Sequence, residues 1–302
     1  MRLNVGDQLI FYDHVVDLDL GDPIGSQLVS GDWRLSSSLI WLLSSLRPGD
    51  SVLDLGAHFG TFAIPAAVLG ARVTAVEGSP RNAAVLKAAC DQNRLSSIDI
   101  VTTVVDRAAG IVDFVELGPY GTISTAELNS ESGYPTIRSR ATTVDLLPGA
   151  PFAWAKIDIE GKEQAVLTGA TTTLRDLRGM VFESNGYMLH KQGTSPAETI
   201  RTLNSAGFTV YEVEGSTLRP LRDPFIQPAT IVDYVAVSGD PAIPAGWDCR
   251  GPRDDVGILE ALLSETQHPV LEHREHADRT ISQLSRQMSR LMRKRSLQSA
   301  HS

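Results

Sequence analysis

Residues 51–60 read Ser-Val-Leu-Asp-Leu-Gly-Ala-His-Phe-Gly, and residues 73–80 read Val-Thr-Ala-Val-Glu-Gly-Ser-Pro. Both stretches begin as apolar runs typical of buried strands; the first ends in a glycine-containing turn and the second in an acidic residue. This pattern predicts an open parallel α/β sheet that holds a nucleoside at the carboxyl ends of its strands. Gly56 and Gly60 let the backbone pass close beneath a ligand, and the N–H groups of the following helix favour an anion.

The second strand end predicts a ribose site. Glu77 follows Gly56 by about 20 residues, which is the spacing at which an acidic side chain accepts hydrogen bonds from ribose hydroxyls. Gly78 and Ser79 complete the same turn. The turn is therefore expected to bind an adenosine; the alternative is that Glu77 is a solvated strand end.

The first turn indicates which adenosine is expected. A dinucleotide site would show G-x-G-x-x-G, whereas here His58 stands between Gly56 and Gly60 in a G-x-x-x-G spacing. This tighter loop suits a smaller charged group than a pyrophosphate, and Asp54 at the strand end suits an ammonium. The predicted ligand is S-adenosylmethionine, and its candidate contacts are Asp54, Gly56, His58, Gly60, Glu77, Gly78 and Ser79. Asp106, after the third strand, is a candidate for binding the adenine amino group or for capping a turn.

The bulk composition is that of a globular protein with one principal domain. The chain has 302 residues, of which 42% are hydrophobic and 21% are charged. The formal net charge of −9 disfavours a nucleic-acid substrate. Cys90 and Cys249 are the two cysteines, so a disulfide framework and a cysteine-based zinc site are not expected. With no apolar run long enough for a membrane span, we expect a cytoplasmic protein.

The order of predicted elements divides the chain into three regions. Residues 1–50 are expected to form an N-terminal cap or lid that contains a helix at 33–46, and residues 51–240 the ligand-binding domain. Residues 241–302 are expected to form a linker and an amphipathic C-terminal helical tail. In that tail Ile281, Leu284, Met288 and Leu291 have the 3-4-3 spacing of a coiled-coil seam. The tail could join two copies of the chain, or be a single helix packed on the domain.

Within the central region strands and helices alternate. Strands are predicted at 52–55, 73–77, 98–105, 153–159, 179–183, 208–213 and 234–237, and helices at 61–69, 81–93, 164–175 and 196–206. The last two strands have no helix between them, so an antiparallel pair is expected at one edge. The predicted fold is thus a doubly wound, Rossmann-like α/β sheet, mostly parallel with an antiparallel edge strand, in the form found in class I methyltransferases.

Three stretches of this region resemble the FkbM family of S-adenosylmethionine-dependent methyltransferases. They are Val52-Leu-Asp-Leu-Gly-Ala-His-Phe-Gly60, Ala75-Val-Glu-Gly-Ser-Pro80, and Thr143-Val-Asp145 with Lys156-Ile-Asp-Ile-Glu-Gly-Lys-Glu163. The family usually has Asn where this chain has His58. The resemblance implies O-methylation of a hydroxyl on a small molecule such as a sugar or a polyketide-type natural product.

The fourth strand carries the candidate catalytic side chains. Lys156, Asp158 and Glu160 alternate along the strand and its exit, so they are expected to point to one side. Glu183 lies at the end of the next strand. Charges in a buried strand are costly unless they are paired or used, so these four residues are candidates for activating a hydroxyl. The structural alternative is a Lys156–Asp158 ion pair that only bridges sheet and helix.

Oxygen-bearing side chains at these two strand ends suggest a metal. Asp158, Glu183 and Asn185 could hold Mg²⁺, which lowers the pKa of a coordinated hydroxyl. This arrangement is similar to the metal site of catechol-type O-methyltransferases. Without a metal, the base would be Asp158 or a histidine, for which His58 and His190 are the candidates.

Two other functions compete with O-methyl transfer. N-methyltransferases acting on bases or amides commonly have an Asn-Pro-Pro-Tyr type turn after the fourth strand, whereas this chain has Asp158-Ile-Glu-Gly161. A non-catalytic nucleoside-binding partner protein, recruited through its helical tail, would not need the strand-end carboxylates. The sequence therefore favours an O-methyltransferase with a small-molecule hydroxyl acceptor.

Overall fold

The computed structural model describes residues 2–5, 8–11, 27, 35–117, 120–125, 135–221, 231–239 and 243–251. The strands are β1 (Arg2–Val5), β2 (Gln8–Phe11), β3 (Ser51–Leu55), β4 (Arg72–Glu77), β5 (Ile98–Thr102), β6 (Val104–Val105), β7 (Gly110–Leu117), β8 (Tyr120–Ile123), β9 (Thr136–Thr142), β10 (Trp154–Ile157), β11 (Gly179–Asn185), β12 (Phe208–Glu214), β13 (Thr217–Pro220), β14 (Ile231–Ser238) and β15 (Asp248–Cys249). The helices are α1 (Ser37–Ser45), α2 (Ala63–Val68), α3 (Pro80–Gln92), α4 (Glu163–Thr168), α5 (Thr173–Asp176), α6 (Gly186–Lys191) and α7 (Pro196–Ser205), with a 3-10 turn at Val144–Leu146. Most of the predicted cap and the whole predicted tail helix, with Ile281, Leu284, Met288 and Leu291, lie outside these residues.

The central sheet has nine strands in the order β15-β13-β12-β14-β11-β10-β3-β4-β5. Strands β11, β10, β3, β4 and β5 run parallel to one another. Strand β14 is antiparallel to both β11 and β12. The structure confirms the predicted doubly wound, mostly parallel sheet with antiparallel pairing toward one edge. Two short strands that the sequence did not reveal, β13 and β15, extend that edge.

Both faces of the sheet are covered, which explains the continuous apolar runs. On β3, Val52 packs with Trp41 and Phe62 in one core cluster, while its neighbour Leu53 packs with Phe182 in another. Successive strand side chains point to opposite faces, so a strand covered on both sides has no polar alternation. The sheet is thereby held rigid, and its strand ends are fixed in relation to one another.

Serine caps determine where the longer helices begin. Ser79 accepts a hydrogen bond from the Asn82 N–H at the start of α3, and Ser195 accepts one from the Glu198 N–H at the start of α7. In both cases a proline occupies the first turn, where its missing N–H has no helical partner to lose. The Ser-Pro pairs therefore account for both helix starts, which lie within one residue of the predicted ones.

The predicted helix at 164–175 is two short helices, α4 and α5. A Cβ atom at Gly169 would lie 2.9 Å from the carbonyl oxygen of Arg107, so the chain turns where only glycine fits. Asp145 then accepts hydrogen bonds from the N–H groups of Thr172 and Thr173 at 2.9 and 2.8 Å. Burial opposes the charge on Asp145, but these and two hydroxyl hydrogen bonds lower its pKa overall. Asp145 therefore sets the start of the second helix.

Among the described residues, a second sheet of four strands has the order β6-β9-β7-β8. The predicted strand at 98–105 breaks at Thr103, so that β5 stays in the central sheet and β6 pairs with β9. Strand β7 pairs antiparallel with both β8 and β9. This small sheet brings Phe114 and Thr122 to the carboxyl end of the central sheet, where both line a cleft.

Candidate active site

A cleft of about 420 Å³ opens at the carboxyl ends of β3, β4, β10 and β11. From β3 the chain continues to β4 on one side of it and later to β10 on the other side, so the strand order reverses at β3. Doubly wound sheets bind their ligands at such a switch point. The charged or titratable lining residues are His58, Glu77, Lys156, Asp158, Glu160, Lys162, Glu183 and Asp233. The cleft thus combines the predicted ribose site with the predicted catalytic residues.

Glu77, at the end of β4, presents its carboxylate to the cleft. One oxygen, Oε2, accepts a hydrogen bond of 2.7 Å from the His58 N–H, and Oε1 accepts one of 2.8 Å from the Ser79 N–H. A carboxylate has about four acceptor positions, so these two bonds leave capacity for two more donors. Two backbone N–H groups therefore orient the Glu77 carboxylate and leave it able to accept further hydrogen bonds.

The loop after β3 is held tightly by its neighbours. Gly56 has φ +74°, and a Cβ atom there would overlap the carbonyl oxygen of Asp158. Gly60 has φ +85° and lies against the side chain of Leu86. His58 itself adopts φ +51°, a left-handed conformation that is uncommon outside glycine and that Asn, Asp and His adopt more often than other residues. The two glycines are needed for packing of the loop within the chain, in addition to the predicted close approach of a ligand.

Asp54 lies at the end of β3, as predicted, but its side chain is buried. Its side chain is fully buried in β3, and it is not among the described residues that line the cleft. The nearest cation is Lys156, whose Nζ lies 3.6 Å from Asp54 Oδ1, 3.3 Å from Asp158 Oδ2 and 2.8 Å from the carbonyl oxygen of Gly56. Burial raises the pKa of Asp54 to about 6, although Lys156 opposes the shift. Asp54 therefore faces Lys156 rather than the space available to a ligand.

Three carboxylates meet beside Lys156. One oxygen from each of Asp158, Glu160 and Glu183 lies within 4.8 Å of the others. Burial, with repulsion from Asp158 next in importance, raises the pKa of Glu160 to about 8 and that of Glu183 to about 10. Lys156 remains a cation, because its acidic neighbours Asp158 and Asp54 outweigh the burial that alone would lower its pKa. Crowding of three acidic groups beside one ammonium group therefore favours the protonated forms of Glu160 and Glu183.

The amide of Asn185, the third predicted metal ligand, caps a helix. Its side-chain oxygen accepts a hydrogen bond of 3.2 Å from the Met188 N–H and so caps α6. The amide is therefore engaged in starting a helix, and Glu160 takes the third position beside Asp158 and Glu183.

Comparison with known proteins identifies the family. The model of the methyltransferase FkbM domain matches residues 54–210, which is more than half of the chain. This chain belongs to the FkbM methyltransferase domain family. Its sheet is thus that of a methyltransferase fold, for which S-adenosylmethionine is the donor.

Other relatives of this FkbM-domain protein are distant. An 81-residue stretch is 37% identical to the 23S rRNA (uracil(1939)-C(5))-methyltransferase RlmD of Halomonas elongata, covering 26% of this chain and 16% of that enzyme. The chain therefore spans about a sixth of the length of RlmD. The methyltransferase FkbM of Methylobacillus flagellatus KT is 14% identical, with 69% of this chain and 45% of that chain covered and a TM-score of 0.41. A TehB-like SAM-dependent methyltransferase of Corynebacterium glutamicum is 12% identical, with coverage of 71% and 94% and a TM-score of 0.43.

The remaining predicted residues of the FkbM domain lie around the cleft in different ways. Gly78 lines it and packs on Phe114, where a Cβ atom would lie 2.9 Å from the ring. Ser79 is buried and caps α3. Asp106 accepts a hydrogen bond of 2.8 Å from the Arg107 N–H, as a turn cap would, and is outside the described lining. His190 is exposed on α6 and is also outside that lining.

One acidic residue of the cleft was missed in the sequence. Asp233 on β14 lies opposite Glu183 in the antiparallel register, and Ser38 donates its hydroxyl hydrogen to the Asp233 carbonyl oxygen at 3.1 Å. Burial raises the pKa of its carboxyl group, while a hydrogen bond from Ser36 opposes the shift. Only the pairing of β14 with β11 places Asp233 here, and strand register cannot be read from one sequence.

The described part of this FkbM-domain chain contains no helix long and apolar enough to cross a bilayer.

Proposed function

We propose that this protein is an S-adenosylmethionine-dependent O-methyltransferase whose acceptor is a hydroxyl of a small molecule such as a sugar or a polyketide-type natural product. The observation that carries the proposal is that Asp158, Glu160 and Glu183 form one cluster in the same cleft as Glu77. A nucleoside bound at Glu77 would thus lie beside groups able to take a proton from the acceptor.

The donor half of the cleft fits S-adenosylmethionine. Glu77 retains acceptor capacity for two ribose hydroxyls, and Phe114, Val104 and Val105 supply an apolar wall suited to an adenine ring. When bound, the donor supplies a methyl group on a sulfonium, which a nucleophile displaces in line. The residues of this chain therefore have to align the two reactants and accept a proton.

The acidic half of the cleft fits a hydroxyl acceptor. An alcohol becomes a useful nucleophile only as it loses its proton. Burial first and repulsion from Asp158 second raise the pKa values of Glu160 and Glu183, so each carboxyl group can accept a proton only once it is ionised, a form that the nearby Lys156 favours for Glu160. Lys156 pairs with Asp158 of this cluster through a 3.3 Å contact. The arrangement supports transfer to oxygen more directly than transfer to a planar amide nitrogen.

Mg²⁺ is a second ligand to test at this cluster. Asp158, Glu160 and Glu183 offer the oxygen ligands that Mg²⁺ prefers, and a divalent cation would relieve their repulsion. When bound, such an ion would lower the pKa of a coordinated hydroxyl. Glu160 is added here to the ligands Asp158, Glu183 and Asn185 that the sequence predicts.

Calorimetric titration with S-adenosylhomocysteine tests the donor half. Micromolar binding, about 8 kcal/mol, is expected for the wild type. Glu77→Gln should weaken binding roughly 30-fold to 100-fold, because an amide has one acceptor oxygen and its NH₂ would face a backbone N–H. Glu214→Gln, an exposed glutamate paired with Arg219, is the matched control and should bind as the wild type does.

A methyl-transfer assay with labelled donor tests the acceptor half. The candidate acceptors are polyols, phenols and amines, and each is assayed with Mg²⁺ and with EDTA. Label in hydroxyl compounds, lost in Glu183→Gln, supports the proposal. Label in amines alone would replace it with N-methylation. Absence of both donor binding and transfer would favour the partner-protein function.

A further inference from the structure

A buried threonine of the small sheet contacts the backbone of the acidic cluster. Thr122 on β8 donates its hydroxyl hydrogen to the carbonyl oxygen of Glu160 at 2.9 Å. Only 2% of the Thr122 surface is exposed. The small sheet therefore reaches across the cleft and holds the residue whose side chain enters the cluster.

Thr122 is itself held from the other side. Gln192, which follows α6, donates from Nε2 to the carbonyl oxygen of Ile123 at 2.9 Å and to the Thr122 hydroxyl oxygen at 3.4 Å. The hydroxyl thus acts as a donor and as an acceptor. Because Asn185 caps the start of the same helix, the end of β11 and strand β8 are joined through α6.

The held residue has an uncommon backbone conformation. Glu160 adopts φ +53° and Gly161 φ +93°. On the inner side, Glu163 accepts hydrogen bonds from the N–H groups of Ile159 and Gly161 at 3.1 and 3.2 Å. A non-glycine residue stays in the left-handed region only where its surroundings hold it, and such residues cluster at functional sites. Here both flanking amides and the carbonyl group of Glu160 are held.

We propose that Thr122 is a positioning residue: its hydroxyl fixes the left-handed backbone of Glu160, which keeps the Glu160 carboxylate beside Asp158 and Glu183, and Gln192 fixes Thr122. This inference rests on the proposed methyl transfer, since it assigns Thr122 a role in that reaction. Packing of β8 against the loop at Glu160 would by itself explain why Thr122 is buried. A valine of similar volume would satisfy that packing equally well. The hydroxyl is what the positioning role requires.

Three variants test this role. Thr122→Val removes the hydroxyl at nearly constant volume, and Thr122→Ser retains it. Thr202→Val is the matched control, because Thr202 also accepts a hydrogen bond from a glutamine, Gln164 Nε2 at 2.9 Å, at a place outside the described lining of the cleft. Crystal structures of all three report the position of the Glu160 carboxylate. Calorimetry with S-adenosylhomocysteine and, for any acceptor that turns over, kcat and KM complete the set.

In Thr122→Val we expect the Glu160 carboxylate to move away from Asp158 and Glu183, whose oxygens lie within 4.8 Å of it in the wild type. The affinity for S-adenosylhomocysteine should be unchanged. The kcat should fall roughly tenfold while KM for the donor stays the same, because alignment is lost and donor binding is not. Thr122→Ser should restore both position and kcat, and Thr202→Val should change neither.

An unmoved Glu160 in Thr122→Val would overturn the positioning role, as would an equal loss of kcat in Thr202→Val. These outcomes are separate from failure of the proposed function. If no acceptor is methylated, the crystallographic position of Glu160 still decides whether Thr122 holds it.

Discussion

The Nζ atom of Lys156 lies 3.6 Å from Oδ1 of Asp54, a carboxylate with no exposed surface. Both residues come from neighbouring parallel strands, β10 and β3, which are in register at these two positions. The same ammonium group reaches Asp158 and the carbonyl oxygen of Gly56. One buried cation therefore connects the core of the sheet to both loops that form the floor of the cleft.

Removal of this cation should be strongly destabilising. Lys156→Met leaves the Asp54 charge buried without its partner, so the free energy of unfolding should fall by roughly 3–5 kcal/mol. Urea denaturation at neutral pH measures the change. The double variant Lys156→Met/Asp54→Asn should recover a large part of it, because no unpaired charge remains. Equal losses in the single and double variants would contradict the pairing.

Glycine at position 56 is expected to be indispensable for two separable reasons. Gly56→Ala meets both a left-handed backbone and the carbonyl oxygen of Asp158, whereas Gly49→Ala has φ +89° and nothing within 4 Å of the new Cβ. Gly49→Ala should cost about 1–2 kcal/mol from the backbone conformation alone. Gly56→Ala should cost clearly more and also abolish S-adenosylhomocysteine binding. Thermal unfolding measures the stability lost in each variant, and calorimetry measures ligand binding. Equal losses of stability in Gly56→Ala and Gly49→Ala would contradict the prediction.

The sequence predicted those features of the fold that depend on residues adjacent to one another in the chain. The apolar run 52–55, the Ser-Pro starts of α3 and α7, and the acidic end of β4 each depend on a few adjacent residues. The strand alternation of Lys156, Asp158 and Glu160 likewise anticipated that they would meet. Such features survive because backbone geometry and capping act over short distances.

Pairing between distant segments was not accessible in the same way. Asp233 reaches the cleft only through the register of β14 with β11. Thr122 reaches Glu160 from 38 positions away. Asp54 and Asn185 were correctly placed on their strands, but their partners, Lys156 and the Met188 N–H, depend on side-chain direction and on a helix start. Register and side-chain contacts arise from the whole packed structure, which a single sequence does not specify locally.

The cluster should make stability depend on pH in the alkaline range. The pKa of Glu183 is about 10 in the folded protein and 4.5 ordinarily, because of burial first and Asp158 second. A raised pKa favours the protonated folded state, so this stabilisation is complete below about pH 4.5 and is lost as pH rises toward the folded pKa. The other charged groups that bear on Glu183 and Glu160 are Lys156, Glu163 and Asp233. Between about pH 7 and about pH 9 the free energy of unfolding of the wild type should fall by up to roughly 1.4 kcal/mol per pH unit for each of Glu183 and Glu160, as long as the pH is below the folded pKa of that residue.

Glu183→Gln provides the control for this pH dependence, because glutamine does not titrate. Its Tm should decline less steeply than that of the wild type over the same range, with EDTA present so that no metal neutralises the cluster. Asp54, with a pKa of about 6, contributes to the slope mainly below this window. Parallel curves for the two proteins would show that Glu183 is not held protonated by the fold.

Glu160 is expected to destabilise the folded protein and to be required for methyl transfer. Glu160→Gly removes a left-handed side-chain residue, a cost of about 1–2 kcal/mol, and removes one of three crowded acids. The greater freedom of unfolded glycine offsets about 0.5–1 kcal/mol of that gain. We therefore expect a higher Tm together with a large loss of methyl transfer.

Arg94→Gly separates the two contributions to the stability of Glu160→Gly. Arg94 has φ +55°, close to the φ +53° of Glu160, but it is exposed after the end of α3. Its replacement therefore measures the backbone contribution alone, and the excess gain in Glu160→Gly measures relief of repulsion in the cluster. That excess should grow between about pH 4.5 and about pH 8, the ordinary and the folded pKa of Glu160, and then level off, because above this range the carboxyl group is ionised in both the folded and the unfolded state. A gain no larger than that of Arg94→Gly at alkaline pH would mean that a bound cation, rather than protons, neutralises the three carboxylates.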